Sequence, residues 1–407
     1  GKDAFNRSST VAIVQAPRAL PRLIRMPSHI SKYEHSYVML TSIMQAFIPD
    51  LFPGMEVHGV YQFRVTRNSD LYVDEEEITN LRTALQGELS QRHYGDAVRL
   101  EVSDHTSPEM LERLLNEFGL SEDALYRVNG PVNLVRLMQV PDMVDRPDLK
   151  FTPYVPGLPP EFQRSGDVFA TLRKGDVLLH HPYQSFNPVL EFIKHAAVDP
   201  DVMAIKQTIY RTGNDSVLMD TLMAAAHSGK EVTVVLELMA RFDEEANINW
   251  AAKLERVGAH VIYGVVGQKT HAKMLMVVRR EKSEDGKTKM RRYVHLGTGN
   301  YHPRTARLYT DFGLFSADEA LGSDVHEIFN HLTGLGRARK LHKVWNSPFN
   351  LHSNVVDAVR REAELGRQGK KTRIMARMNS LLEPKLIKEL YLASQAGVKI
   401  DLIVRGV

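Results

Sequence analysis

His271-Ala-Lys273, followed by Gly297-Thr-Gly-Asn300, is the stretch whose residue types and spacing carry the clearest chemistry. An imidazole and an ammonium two residues apart on a strand point to the same face. They can present a nucleophilic nitrogen and a fixed positive charge to one phosphoryl group. Arg211 ends the run Ile205-Lys-Gln-Thr-Ile-Tyr-Arg211, and Arg241 takes the equivalent place after Val234–Leu238. Ligands of open α/β sheets bind at the carboxyl ends of strands, and guanidinium forks clamp phosphate oxygens. The combination points to phosphoryl transfer with His271 as covalent carrier. Lys269 and Lys273 flank the imidazole, and such cations favour its neutral, nucleophilic form.

Other residues are ambiguous from sequence. Gly297-Thr-Gly-Asn300 can bring backbone amides close to an anion, although glycine-rich turns are common. Asn214-Asp-Ser216 starts a helix whose first amides could also accept phosphate. Tyr309 offers a ring to stack on a base, or fills a core. His295 reads as a core residue or one that supports the site from behind, rather than a second nucleophile. His180 and His181 are neighbours on a strand and point to opposite faces, which disfavours a chelate.

Composition leaves room for this chemistry without advertising it. The 407 residues suffice for two or three domains, and 43% are hydrophobic. A formal charge of +3 argues against bulk affinity for nucleic acid. There is no cysteine, which favours a reducing, intracellular setting. No apolar run reaches the roughly 18 residues of a membrane span.

The elements that must position the site fall in the second half. Residues 1 to about 150 mix a β-like run at Val11–Val14, helical periodicity over Tyr37–Ile48, Glu75–Leu89 and Pro108–Glu117, and a strand over Val57–Arg67. A proline-dense linker runs from Pro147 to Pro160. Thereafter strands at Val202–Gln207, Glu231–Leu238, His260–Tyr263, Ala272–Val278 and Tyr293–Leu296 are expected. Helices at Ser216–Ser228 and Glu244–Val257 are interleaved with them, giving a mostly parallel sheet. Asp285-Gly286 signals a hairpin. His227–Glu237 aligns without gaps onto Gln395–Arg405, a helix–glycine–strand repeat implying a duplicated module that starts near Asn346. On that duplication Arg405 would face His271 across the cleft. The chain stops in or just after a strand, which would leave a sheet unfinished.

The spacing resembles the phospholipase D motif H-x-K-x4-D-x6-G-[SG]-x-N. Val278 stands at the aspartate position and Gly297 comes 12 residues late, an insertion that the hairpin can absorb. More specifically, His181-Pro-Tyr-Gln-Ser-Phe186, Ile209-Tyr-Arg211, Ala240-Arg-Phe-Asp-Glu-Glu-Ala-Asn247, His271-Ala-Lys273, Gly297-Thr-Gly-Asn300 and Ala306-Arg-Leu-Tyr-Thr-Asp311 together resemble polyphosphate kinase of the phosphohistidine type. The resemblance runs from about Val11 to Val407.

The resemblance implies an α/β fold: an α+β head domain over 1–157, a phospholipase-D-like α/β domain over 158–345, and the start of its duplicated copy over 346–407. It implies that His271 is phosphorylated by ATP, with Lys273 in support. Arg211 and Arg241 become the phosphate and Mg²⁺ site, with the ion riding on substrate phosphates because guanidinium groups cannot ligate it. Tyr309 becomes the adenine-side contact, and Arg405 lies in the nucleotide-binding strand of the second copy. ATP, ADP and inorganic polyphosphate are the implied substrates, Mg²⁺ the cofactor, and nucleic acid no partner. A homo-oligomer built through the head domain is implied, in the cytoplasm and associated with the inner face of its membrane. On the same comparison the sequence is a fragment lacking an N-terminal helical domain and most of the second C-terminal domain. Two other readings stand beside it: a phosphodiesterase of the phospholipase D class, and a non-catalytic module that binds polyanions.

Overall fold

The computed structural model describes residues 11–17, 19–68, 95–163, 166–210, 216–237, 244–264, 268–282, 285–334, 336 and 340–406. The chain divides into two compact units, Gly1–Val155 and Pro156–Val407. In the first, β1 (Leu23–Arg25) pairs antiparallel with β2 (Tyr37–Met39). β3 (Phe63–Arg67) pairs antiparallel with β4 (Ala97–Ser103), which pairs parallel with β5 (Leu125–Val128). The helix Pro108–Phe118 has proline in its first turn, is capped by the Ser107 hydroxyl accepting from Met110 N at 3.3 Å, and closes on Gly119 at φ 62°. It buries Leu111 and Leu114 against Leu100 and Val102.

Three expectations for this unit need correction. Val11–Val14 forms no strand. Tyr37 opens β2 rather than a helix, because Tyr37–Met39 finds a ladder partner in Leu23–Arg25, and the helix begins only at Leu40. The strand expected from Val57 begins at Phe63, where pairing to Val102 starts. The helix expected over Glu75–Leu89 lies outside the described residues.

In the second unit, Leu275, Met276 and Val277 are fully buried, a strand apolar on both faces and covered on both. The sheet holds β6 (Val177–His181), β7 (Val202–Ile209), β8 (Glu231–Leu236), β9 (His260–Ile262), β10 (Lys273–Lys282), β11 (Thr288–Gly297) and β12 (Asp311–Ser316). Their order is β6-β12-β11-β10-β7-β8-β9. The mostly parallel sheet expected from sequence is therefore a mixed one. Only β7–β8 and β8–β9 are parallel, where the helices Val217–His227 and Glu244–Arg256 carry the crossovers. The other four pairings are antiparallel. The hairpin at Gly286, φ 78°, returns the chain at once as β11 and inserts β10 antiparallel beside β7.

One sheet face packs Tyr293 and Phe315 against Phe169 and Phe192. The other packs Met274, Met276 and Val294 against Leu321, Val325 and Phe329 of the helix Glu319–Leu332. Each such buried side chain contributes about 1.5–3 kcal/mol before conformational entropy is counted.

The repeat is present in three dimensions. The helix Leu351–Arg367 leads to β13 (Arg373–Met378), and the helix Pro384–Gln395 to β14 (Lys399–Val404), with β13 and β14 parallel. Gly229 at φ 85° and Gly397 at φ 92° make the same left-handed exit after each copy's helix.

The connector to this copy is tied down by Asp324, only 1% exposed. Its carboxylate accepts from the amides of His342 at 2.8 Å, Lys343, and Val344 at 3.0 Å. Burial opposes ionisation, but the amides outweigh it and hold the carboxyl below its ordinary value of 3.8. A depressed folded value means that this stabilisation is present above the unfolded value and is lost as pH falls through the folded one. We predict that Asp324→Ala lowers unfolding free energy at pH 7 by about 2–3 kcal/mol. In urea titrations the gap to the parent should narrow below about pH 4; a pH-independent gap, or none, would count against the amide cluster.

Candidate active site

Strand direction brings the described motifs to one edge of the sheet. β6, β7, β8 and β11 end there, while β10 and β12 begin there. Lys273 is in register with Gly297, and Gly297 with Gly313. Adjacent strands lie about 4.8 Å apart, so His271-Ala-Lys273 and Gly297-Thr-Gly-Asn300 are immediate neighbours.

The loop carrying His271 is held from below. The Thr208 hydroxyl donates to Ala272 O at 2.7 Å and accepts from Met274 N at 2.9 Å. The carboxylate of Glu237, buried at the exit of β8, accepts from Thr270 N at 2.8 Å. Asn247, fully buried, donates its side-chain amide to Tyr210 O at 3.1 Å and Glu237 O at 2.9 Å. The ends of β7 and β8 and the loop thus form one hydrogen-bonded unit.

His271 lies at the exposed rim. Its ring meets Tyr210 edge-on, centroids 5.0 Å apart at 80°. Lys273 is buried and donates its ammonium to His271 O, while Lys269 is exposed. Partial desolvation, then the charges of Lys273 and Lys269, pull the imidazole below its ordinary value of 6.5. The ring is neutral at physiological pH, as its flanking lysines suggested.

The glycine loop is shaped by Asp311. Thr298 Oγ1 donates to Asp311 Oδ1 at 2.9 Å and accepts from Phe312 N at 2.9 Å. A Cβ on Gly299 would run into the Asp311 carboxylate. Asn300 Oδ1 is buried, with no hydrogen-bond partner among the described residues. Behind the loop, His295 is 3% exposed, and burial drives its pKa down to about 3. Tyr301 OH donates to His295 O at 3.1 Å, so His295 Nδ1 donates to the tyrosine oxygen at 2.8 Å. His295 is a neutral core residue. His180 stacks on Phe312 at 4.6 Å while His181 packs on Phe186, on opposite faces as strand geometry requires.

Tyr309 is 48% exposed, and the guanidinium carbon of Arg405 lies 5.7 Å from its ring centroid. Arg405 thus meets Tyr309, the expected adenine-side residue. Arg211 and Arg241 lie outside the described residues; Tyr210 and Glu237 are the last described positions before each. Val278, at the aspartate position of the phospholipase D motif, packs against the apolar cluster under the helix Glu319–Leu332. Sequence reasoning missed Thr208, Tyr210, Glu237 and Asn247. The repeat alignment held one signal, since it sets Glu237 opposite Arg405 at equivalent strand exits.

Three family models match in succession: the polyphosphate kinase middle domain over residues 1–140, C-terminal domain 1 over 167–338 and C-terminal domain 2 over 344–407. The chain belongs to the polyphosphate kinase family. It is 64% identical over 407 residues to a polyphosphate kinase of Paraburkholderia phytofirmans, covering all of this chain and 59% of that one. It is 62% identical, with the same coverage, to a polyphosphate kinase of Burkholderia vietnamiensis. The crystal structure of the Porphyromonas gingivalis polyphosphate kinase superposes with a TM-score of 0.76 at 28% identity. That match covers 95% of this chain and 55% of the other, and it bears out the α/β fold class. The chain therefore spans 59% of the length of these curated relatives.

Two outcomes follow from the geometry. Lys269→Gln removes a cation beside His271 and should raise the imidazole pKa, read by ¹⁵N shifts of the ring during a pH titration; an unchanged or lower value would contradict the charge placement. Gly299→Ala should force Thr298 and Asp311 apart. We expect weaker amide protection at Phe312 in hydrogen exchange, and protection equal to the parent would show that the turn tolerates a side chain.

Proposed function

We propose that the chain is the catalytic portion of an ATP–polyphosphate phosphotransferase, which moves the terminal phosphoryl of ATP reversibly to inorganic polyphosphate through a phosphohistidine at His271. The observation that carries this reading is a neutral imidazole between two ammoniums, at the carboxyl edge of the parallel strands and beside a glycine loop. Family membership supports the substrates. In the first step a His271 ring nitrogen attacks the γ-phosphorus, an N–P bond forms, and the P–O bond to ADP breaks. In the second, a terminal oxygen of the polyphosphate chain attacks that phosphorus, and the N–P bond breaks to return neutral imidazole. Splitting one transfer into two is the advantage of covalent catalysis.

Lys273 and Lys269 attract the anionic substrate, and Arg211 and Arg241 are assigned to clamp its phosphate oxygens. At the edge the carboxylates of Glu237 and Asp311 accept from Thr270 N and Thr298 Oγ1, and no three potential metal ligands cluster among the described residues. The imidazole, ammoniums and backbone amides suit phosphate better than a bare divalent ion. Mg²⁺ is therefore placed on the substrate phosphates beside the two arginines, where it would neutralise charge on the transferring group. Tyr309 and Arg405 are assigned to the nucleotide.

The same reading divides the chain into a head domain over 1–157, a catalytic domain over 158–345 and the start of a second copy from 346. It includes a homo-oligomer in the cytoplasm and peripheral association with its membrane. Among the described residues no helix is long and apolar enough to cross one.

A phosphodiesterase shares the His–Lys pair, but the carboxylate that motif requires would have to stand where Val278 packs. In the full-length protein, His271→Ala should abolish acid-labile ³²P incorporation from γ-labelled ATP, and Arg211→Ala or Arg241→Ala should slow turnover by about 10²-fold with the fold intact. Label retained by His271→Ala, or head-group release from a phosphodiester without ATP, would overturn the assignment.

A further inference from the structure

Tyr210 is the first residue after β7, and three groups from one short loop converge on its ring. The His271 imidazole meets it edge-on at 5.0 Å. The ammoniums of Lys269 and Lys273 lie 5.3 Å and 5.1 Å from its centroid. The side chain is half-buried, and its backbone carbonyl is fixed by Asn247, which also fixes Glu237 O. The ring's platform is therefore anchored to the hydrogen-bonded unit that holds Thr270.

We propose that Tyr210 is a positioning residue, whose ring holds the imidazole and its two flanking ammoniums as one preorganised phosphoryl-accepting unit. This deepens the phosphohistidine reading of His271 and rests on it.

The physical argument is specific to an aromatic ring. Its electron-rich face attracts ammonium groups, while its body limits rotation of an imidazole packed edge-on. Lys269, exposed at the rim, would otherwise gain entropy by extending into water, whereas Lys273 is already buried and donates to His271 O. Held against Tyr210, both charges stay beside the imidazole in the free protein, where they reinforce the desolvation that favours its neutral form. They then stand beside the phosphoryl group once the N–P bond has formed. The carboxylate of Glu237, close to the loop, accepts from the Thr270 amide. The bland alternative is that Tyr210 only fills space at a strand end. Shape alone would then suffice, and the electron density of the ring face would be irrelevant.

The test uses the full-length protein with Tyr210 replaced by Phe, by 3,4,5-trifluorophenylalanine and by Leu. The rate of acid-labile ³²P incorporation from γ-labelled ATP is followed against pH. Phe keeps the electron-rich face and should stay within about 2-fold of the parent. The trifluoro ring keeps the shape but loses face density; labelling should slow by about 5-fold, and by about 10-fold or more with Leu. In both, the acid limb of the profile should move up towards the ordinary imidazole value as Lys269 relaxes away. Trifluoro and Leu variants that match Phe in rate and acid limb would overturn the proposal, and the shape-preserving ring makes the result independent of whether Leu folds. A His271→Ala control separates the two claims. Label surviving there removes both, whereas label that needs His271 but ignores the Tyr210 ring removes this one alone.

Discussion

The hydroxyl of Thr208 bonds to both ends of the Ala272–Met274 segment, and the geometry of the whole edge depends on that attachment. It fixes where β10 begins against the end of β7, and so how far His271 stands beyond the last strand residues. Because β10 runs against β7, a loop that enters one strand is brought to the exits of others. The hairpin return as β11 then delivers the glycine loop beside Lys273. A parallel β10 would have carried its entry loop to the opposite edge, away from Tyr210, Glu237 and the glycine turn.

Much of this was legible in the residues, and what was not has physical causes. Crossover helices and the helix–glycine–strand repeat come from local signals, and the first copy's elements appear within a residue or two of expectation at Val217–His227, Glu231–Leu236 and Glu244–Arg256. Sheet polarity does not come from local signals. A buried apolar strand reads alike whether its neighbour is parallel or antiparallel, so the mostly parallel sheet fails at β10 although the Asp-Gly turn is recognised, and β12 is not among the expected strands. Tyr37 illustrates tertiary override, with a ladder partner at Leu23–Arg25 outweighing helical periodicity. Within the site, His271 and Lys273 are legible as chemistry. Thr208, Glu237 and Asn247 act through backbone atoms of distant segments, and nothing in their own neighbourhoods announces it.

Electrostatics divides the edge into two histidine environments. His271 stays neutral in partial contact with solvent, through desolvation reinforced by two ammoniums. His295 is neutral by complete burial, and its Nδ1 is committed to Tyr301. Only the first combines an uncharged ring with access to a bulky anion. The second copy contributes Arg405 to the ring of Tyr309, so the nucleotide side of the proposed reaction is assembled from both halves of the duplication. The covalent step is assigned to the first half alone.

The proposed chemistry requires one ring nitrogen to stand in line with phosphorus, and a crystal structure of the full-length protein with a non-hydrolysable ATP analogue shows directly whether it does. In-line transfer places a His271 ring nitrogen about 3–3.5 Å from the γ-phosphorus and opposite the bridging oxygen to ADP, with both lysines still over the Tyr210 ring. A nucleotide seated elsewhere, or an imidazole turned away from the phosphorus, would contradict it.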